Sequence, residues 1–418
     1  MLKHGKGRCV TKYVIVLADG MADYPIKELN GLTPMEYAAT PNLDLMAQKG
    51  VMGMVNTIPV GFPPGSDVAN LSILGYDPRL FYTGRSPLEA VGMGVPLSES
   101  DLAIRCNLLT LSNEENYLQK RMVDYSADEI STEEAACLIG EVKRKFDSKT
   151  FNFFSGISYR HLLLWRHGPA ELEMTPPHDI PGQAIAPYLP KGQRADRLLE
   201  FMLSANEWLE QHPINLSRIR RNLRPANSLW FWGHGRKPAL DGFYDKYLLK
   251  GAVIAAVDLI RGLGICAGLK PVSIPVGTGN THLNFSGKAL AALQLLKEGM
   301  DLVYIHINTP DEAGHRGELT TKIKAIEAID KTVMEVLLEG LKKEFAGFKI
   351  MVLPDHATPV CLRTHTADPV PFLVFSNNKQ TFFSGSGGFS EKTAAATELR
   401  IEAGHCLMDY FIKDSYPC

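Results

Sequence analysis

The 418-residue sequence has no long uncharged apolar run, no CxxC pair, no internal repeat and no block of like charge. Each absence removes a class of function. The longest candidate for a membrane span, 251–269, carries Asp258, Arg261 and several glycines, which predicts a buried helix and no membrane partner. The seven cysteines (Cys9, Cys106, Cys137, Cys266, Cys361, Cys406 and Cys418) are scattered and odd in number, so neither a disulfide framework nor a zinc knuckle is indicated. That usage fits a reducing cytoplasm. A net charge of −2 without a basic stripe argues against a nucleic-acid partner. The basic stretch 1–12 precedes an apolar run, Val14–Ala18, that is too short for a signal peptide and reaches Asp19 at once. A short disordered extension is expected there. The chain carries no signal for a particular oligomeric state. With 45% hydrophobic and 22% charged residues it can bury a large core, and its length predicts two domains.

What is present centres on Lys349–Phe372. The apolar run Ile350–Leu353 predicts a buried parallel strand that stops at Pro354, directly before Asp355 and His356. His365 follows in a Thr-His-Thr loop, and Asp368-Pro369 turns the chain into a second apolar run, Val370–Phe375. In open α/β sheets ligands bind outside the carboxyl ends of strands, so this Asp-His pair is placed for chemistry.

Two other strands end the same way. Lys12–Ala18 (KYVIVLA) stops at Asp19, and the run LVYIHINTP leads into Asp311, with His315 four residues further on. That spacing puts Asp311 and His315 on one helical face. Together Asp19, Asp311, His315, Asp355, His356 and His365 supply three carboxylates and three imidazoles, enough for two divalent ions. Mixed oxygen and nitrogen donors without thiolates suit Mn²⁺, Zn²⁺, Co²⁺ or Mg²⁺. Two such ions about 3.5–4 Å apart form a clamp for in-line displacement at phosphorus. The loop Gly61-Phe62-Pro63-Pro64-Gly65 then presents Ser66 at the start of an apolar-periodic helix, Val68–Leu74. A serine there either caps the helix or serves as a nucleophile held by a metal among unpaired N–H groups. The ligands predicted nearby favour the nucleophile.

The strand-and-helix pattern continues with a helix opened by Thr40-Pro41 and running to Lys49, and a strand at Val51–Pro59. From about Asp101 the texture changes: strand Leu102–Leu111, helix Ser131–Phe146 opened by a capping box, strand Tyr159–Trp165, a Pro-rich loop 175–190, helix Arg194–Gln211, and the segment Ser228–Trp232. After Gly235 the alternation resumes with a helix at Gly251–Leu263, strand Val272–Val276, helix Ser286–Glu298, strand Leu302–Ile307, a long helix Leu319–Phe345 and a final helix Glu391–Lys413. This predicts an α/β core of 1–100 and 235–418, with a mostly parallel sheet flanked by helices, interrupted by an inserted α+β domain at 101–234. Arg85, Arg105, Arg160 with His161, and Arg224 are candidates to hold a small phosphorylated substrate, since guanidinium groups capture phosphate and carboxylate bidentately. Gly277-Thr278-Gly279-Asn280 hints at a phosphate loop, but a lone GxG without a Walker pattern is weak.

Asp19-Gly20, Gly65-Ser66-Asp67 running into Leu71–Pro78, Asp311–His315, Asp355-His356, and His365 with Asp368–Pro371 resemble the cofactor-independent phosphoglycerate mutases of the archaeal type. The likeness spans nearly the whole chain, and that family belongs to the alkaline-phosphatase-like metalloenzymes. The resemblance implies one ion held by Asp311, His315 and His365 and another by Asp19, Ser66, Asp355 and His356. It implies phosphoryl transfer from 3-phosphoglycerate to Ser66 and on to the other hydroxyl of glycerate, without 2,3-bisphosphoglycerate. The inserted domain departs from the pattern. Where archaeal members carry arginines before the Ile-Ser-Thr-Glu-Glu helix, this chain has Val123–Glu129, VDYSADE. That segment and Ser228–Gly235 look more like a bacterial branch proposed to act as a homoserine kinase, so a phosphotransferase of the same fold is the alternative.

Overall fold

Apolar runs rich in Val, Ile and Leu account for the main sheet. Lys270–Val272, Gly251–Ile254, Leu302–Ile307, Lys12–Ala18 and Phe348–Leu353 lie side by side in that order, all parallel. The last three are buried almost throughout, as continuous apolar runs covered on both faces should be. Val370–Ser376 adds antiparallel to Phe348–Leu353 and pairs antiparallel with Val51–Val55, which carries Arg400–Ile401 at the edge of an eight-stranded sheet. Helices flank this sheet, in agreement with the predicted α/β class. The register matters for function. Leu17 lies opposite both His306 and Leu353, so Asp19 and Asp355, each two residues further on, emerge on one face at the carboxyl end.

This computed structural model describes residues 11–169, 171–274, 285–378 and 387–414. It divides into two units, one up to Tyr82 and from Leu240 onward, the other Thr83–Ala239. The sequence reading sets the borders of the insertion at 101 and 234. Residues before 101 join the second unit because the helix Arg85–Gly92 packs on the strands Leu102–Leu111 and Ser228–Gly235. That unit is built on an antiparallel sheet. Leu102–Leu111 pairs with Arg160–Trp165 on one side and Ser228–Gly235 on the other, with Phe151–Phe154 and Met122–Asp124 completing it. Helices Thr132–Phe146 and Asp196–Leu209 bury Leu138, Val142, Leu198 and Met202 in its core.

Several elements differ from the sequence reading. Gly251–Ile254 is a strand, and the helix begins only at Asp258. A short apolar run carries no periodicity to separate the two, and here the slot beside Leu302–Ile307 decides. The strand placed at Val272–Val276 is Lys270–Val272, and Gly277–Asn280 lies outside the described residues, as do residues 1–10. The final helix is broken into Glu391–Ala395 and Leu407–Lys413, with the short strand Arg400–Ile401 between them. Cys406 is disulfide-bonded, a single bridge where the scattered cysteines indicated no disulfide framework. The predicted capping box is half made: Ser131 Oγ accepts from Glu134 N, while the Glu134 carboxylate binds Arg218 and Arg221. Thr40 does not cap its helix by its side chain either. Asp330, in a π-helical turn at Ile329–Met334 of the long helix, accepts from Asn42 N and Leu43 N instead. Among the described residues no helix is long and apolar enough to cross a membrane.

Candidate metal and phosphoryl-transfer site

Within the first unit, the strand ends deliver two adjoining groups of ligand atoms. Asp311 and His315 sit in the helix Thr309–Arg316, one turn apart on one face as their spacing predicts. The loop brings His365 to them. His315 Nε2 is 2.8 Å from His365 Nε2, and Asp311 lies 3.4 Å from the former and 3.3 Å from the latter. Two imidazole nitrogens this close beside a carboxylate make a group that could hold a cation. Asp311 and His315 shape each other's protonation. Burial would raise the Asp311 pKa, but His315 and His365 hold it well below the usual carboxylate range, while the bond to Asp311 lifts His315.

The second group is deeper. Asp355 and His356 are fully buried at the end of Phe348–Leu353, and Asp19 is 4% exposed. His356 Nε2 lies 3.6 Å from Asp19 Oδ1 and 3.5 Å from Asp355 Oδ2. Ser66 completes the group. It is the first residue of the helix Ser66–Ile73, whose N-cap is Gly65, and its hydroxyl makes no cap. Its Oγ instead sits 3.0 Å from His356 Nε2. Burial lowers the His356 pKa, with Asp355 acting against it, which keeps a neutral imidazole available as a ligand. Gly20 brings the two groups together: it has φ +62°, and a Cβ there would stand 2.7 Å from Asp311 Cα. Thr358 links them, donating to Asp311 Oδ1 at 2.6 Å and lying 3.2 Å from His356 Nδ1.

The three sets Asp311/His315/His365, Asp19/Asp311/His356 and Asp19/His306/Asp355 each have ligand atoms within 4.8 Å of one another. Donors bound at about 2.0–2.2 Å around a common ion stand at such separations, so the residues fit divalent metals. His306, Thr358 and Asn70 are members of this site that sequence reasoning missed. His306 sits in an apolar strand, where an imidazole is itself a signal, and Asn70 hides one turn after Ser66 in a helix read only for its apolar face. Burial pushes His306 down to about 4. Lys288 donates to the His306 carbonyl at 2.7 Å and is itself lowered to about 8 by burial.

The second unit gathers some of the predicted basic residues. Arg85 and Arg105 both reach Glu89, Nε to Oε1 at 2.8 Å and Nε to Oε2 at 2.9 Å respectively. The Arg105 guanidinium also stacks 4.5 Å over Trp232. Burial works to raise the Glu89 pKa, yet Arg105, Arg85 and Arg160 together hold it down. Arg160 pairs with Asn107, two residues from Arg105, and so shares its sheet face. His161 and Arg224 do not join them. His161 pairs with Cys106 on the opposite face, where burial drives it to about 3 and its Nδ1 accepts from Gly156 N. Arg224 is tied to Asp124 and Asp128.

The model of a family described as 2,3-bisphosphoglycerate-independent phosphoglycerate mutase matches residues 47–215. A protein of Geobacter sulfurreducens named as a probable enzyme of that kind is 47% identical over 401 residues, covering 96% of this chain and 99% of its own. One from Methanosarcina barkeri, named as the enzyme, is 44% identical over 403 residues with the same coverage. Among solved structures, a Pyrococcus horikoshii protein superposes with TM-score 0.81 at 31% identity, over 98% of this chain and 100% of its own. The cofactor-independent phosphoglycerate mutase of Thermoplasma acidophilum does so with TM-score 0.62 at 26% identity, over 96% and 99%.

Proposed function

The chain belongs to the 2,3-bisphosphoglycerate-independent phosphoglycerate mutase family, and we propose that it interconverts 3-phosphoglycerate and 2-phosphoglycerate through a phosphoserine on Ser66. The observation that carries the reading is the position of Ser66 Oγ, turned away from capping and set beside His356 among the acidic strand ends. Asp311, His315 and His365 would hold one divalent ion, and Asp19, Asp355, His356 and Ser66 the other. Bound there, the ions supply charge neutralisation for the phosphoryl oxygens and lower the pKa of the serine hydroxyl.

The chain's own groups account for the rest. Ser66 Oγ forms a bond to phosphorus as the bond to the glycerate oxygen breaks, and the proton lost by serine is balanced by one gained on glycerate. The neighbouring glycerate hydroxyl then takes the phosphoryl group back, restoring Ser66. The helix Ser66–Ile73 starts at this serine, so its first N–H groups face the oxygens on phosphorus. Arg85 and Arg105, held by Glu89 in the second unit, and Arg160, on the same sheet face as Arg105, are the proposed anion-binding groups, with Arg105 fixed against Trp232.

The test is turnover of 3-phosphoglycerate by purified protein with Mn²⁺ and no bisphosphoglycerate, followed by trapping of phosphorylated Ser66. Turnover lost in Ser66→Ala supports the mutase. Inactivity in protein with bound metal, combined with phosphorylation of homoserine from a nucleotide, rejects it in favour of the phosphotransferase.

A further inference from the structure

His306 lies in the middle of the parallel sheet and is 1% exposed. Burying an imidazole in an apolar strand costs free energy unless its polar atoms find partners. Its register opposite Leu17 puts it on the face from which Asp19 emerges, and its Nε2 stands 3.1 Å from Asp19 Oδ2. Neither ring nitrogen makes a hydrogen bond among the described residues, so the approach of Nε2 to Asp19 is a close polar contact and not an aligned N–H···O bond. A carboxylate only accepts, so a ring proton on Nε2 is the tautomer that would make this contact with Asp19 attractive.

The neighbouring carboxylate shows what such a contact does. Asp355 Oδ2 accepts from Asn70 Nδ2 at 2.9 Å, and its Oδ1 faces the backbone N–H groups of Gly20 and His356 at 3.2 and 3.1 Å. Asn70 is held in turn by the Tyr304 hydroxyl at 2.6 Å. Tyr304 stands two residues before His306 on the same strand, hence on the same face. One strand thus reaches both carboxylates, Asp355 through Tyr304 and Asn70, and Asp19 through His306 directly.

We propose that His306 is a positioning residue: the close contact of its Nε2 with Oδ2 holds Asp19 in place, leaving Oδ1 turned toward His356 and the ion that this group takes. This rests on the metal-site reading above. Outer groups that orient ligands in this way contribute about 10–100-fold to metal affinity.

The experiment is calorimetric titration of Mn²⁺ into metal-free wild type, His306→Leu and His306→Gln, with near-UV circular dichroism to check that each is folded. Glutamine places an amide N–H at a similar reach but is a poor substitute for an imidazole ligand. The Leu variant is expected to lose about 10–100-fold in affinity for one ion and keep the other, and the Gln variant to stay within about threefold of wild type. Unchanged binding in the Leu variant, or equal loss of both ions, overturns the proposal. So does a Gln variant as impaired as the Leu variant, which makes the imidazole itself a ligand. If the Leu variant does not fold, the Gln variant decides alone: retained affinity supports positioning and lost affinity overturns it. Wild-type protein that takes up no ion overturns the metal-site reading itself, a separate result.

Discussion

Ser66 Oγ lies 3.0 Å from His356 Nε2, although 290 positions separate them in the chain. The serine sits where helix dipole, imidazole and two carboxylates converge, and it makes no contribution as a cap. Ser66→Ala is therefore expected to abolish phosphoryl transfer while leaving the protein folded, at a cost in stability of about 1 kcal/mol for the lost hydrogen bond to His356. Urea unfolding alongside the activity assay checks both halves, and measurable turnover in the variant rejects Ser66 as nucleophile.

Among the described residues His315 belongs to one candidate ligand group, whereas Asp311 is shared between two. His315→Ala should weaken one ion by at least about a hundredfold and spare the other, because removing a ligand costs at least as much as removing its orienting partner. Asp311→Asn should disturb both. Metal content after dialysis against a weak chelator distinguishes the variants, and equal loss in His315→Ala contradicts the partition.

Arg105 combines a charge with a planar stack on Trp232. Arg105→Lys keeps the charge but loses the fork and the stack, so KM for 3-phosphoglycerate is expected to rise at least about tenfold. Lysine at this position still partners Glu89, which guards against an uncompensated buried carboxylate. An unchanged KM removes the cluster from substrate binding.

Glu391 provides a pH handle outside the proposed metal-ligand groups. Its oxygens accept from Asp23 N and the Thr33 hydroxyl, near the buried Lys322–Asp23 pair, and burial raises its pKa from 4.5 to about 7. The folded protein therefore holds this proton more tightly than the unfolded chain. The stabilisation is fully present below pH 4.5 and is lost as pH rises through about 7. A shift of that size corresponds to about 3 kcal/mol. Glu391→Gln should flatten the fall in stability between pH 5 and 7 relative to wild type, as measured by urea unfolding at each pH. Parallel pH profiles for the two proteins would show that Glu391 ionises normally in the fold.

Much of the candidate site was legible because its proposed ligands sit at the ends of uninterrupted apolar strands. The runs KYVIVLA, LVYIHI and KIMVL have one physical solution, a buried parallel sheet, and Asp19, Asp311, Asp355 and His356 follow from where each run stops. The i,i+4 spacing of Asp311 and His315 likewise fixed their common face, and the motifs around them fixed the family. Tertiary structure alone decided the rest. Strand register set His306 against Asp19, and the fold of distant segments delivered Asn70 to Asp355 and Asp330 to the helix at Pro41. Sheet faces sorted the basic residues, joining Arg105 and Arg160 and turning His161 away. Gly251–Ile254 became a strand because a slot beside Leu302–Ile307 was open to it. Local sequence encodes periodicity and termini, whereas pairing partners are chosen by which buried surfaces and hydrogen bonds the whole chain can satisfy at once.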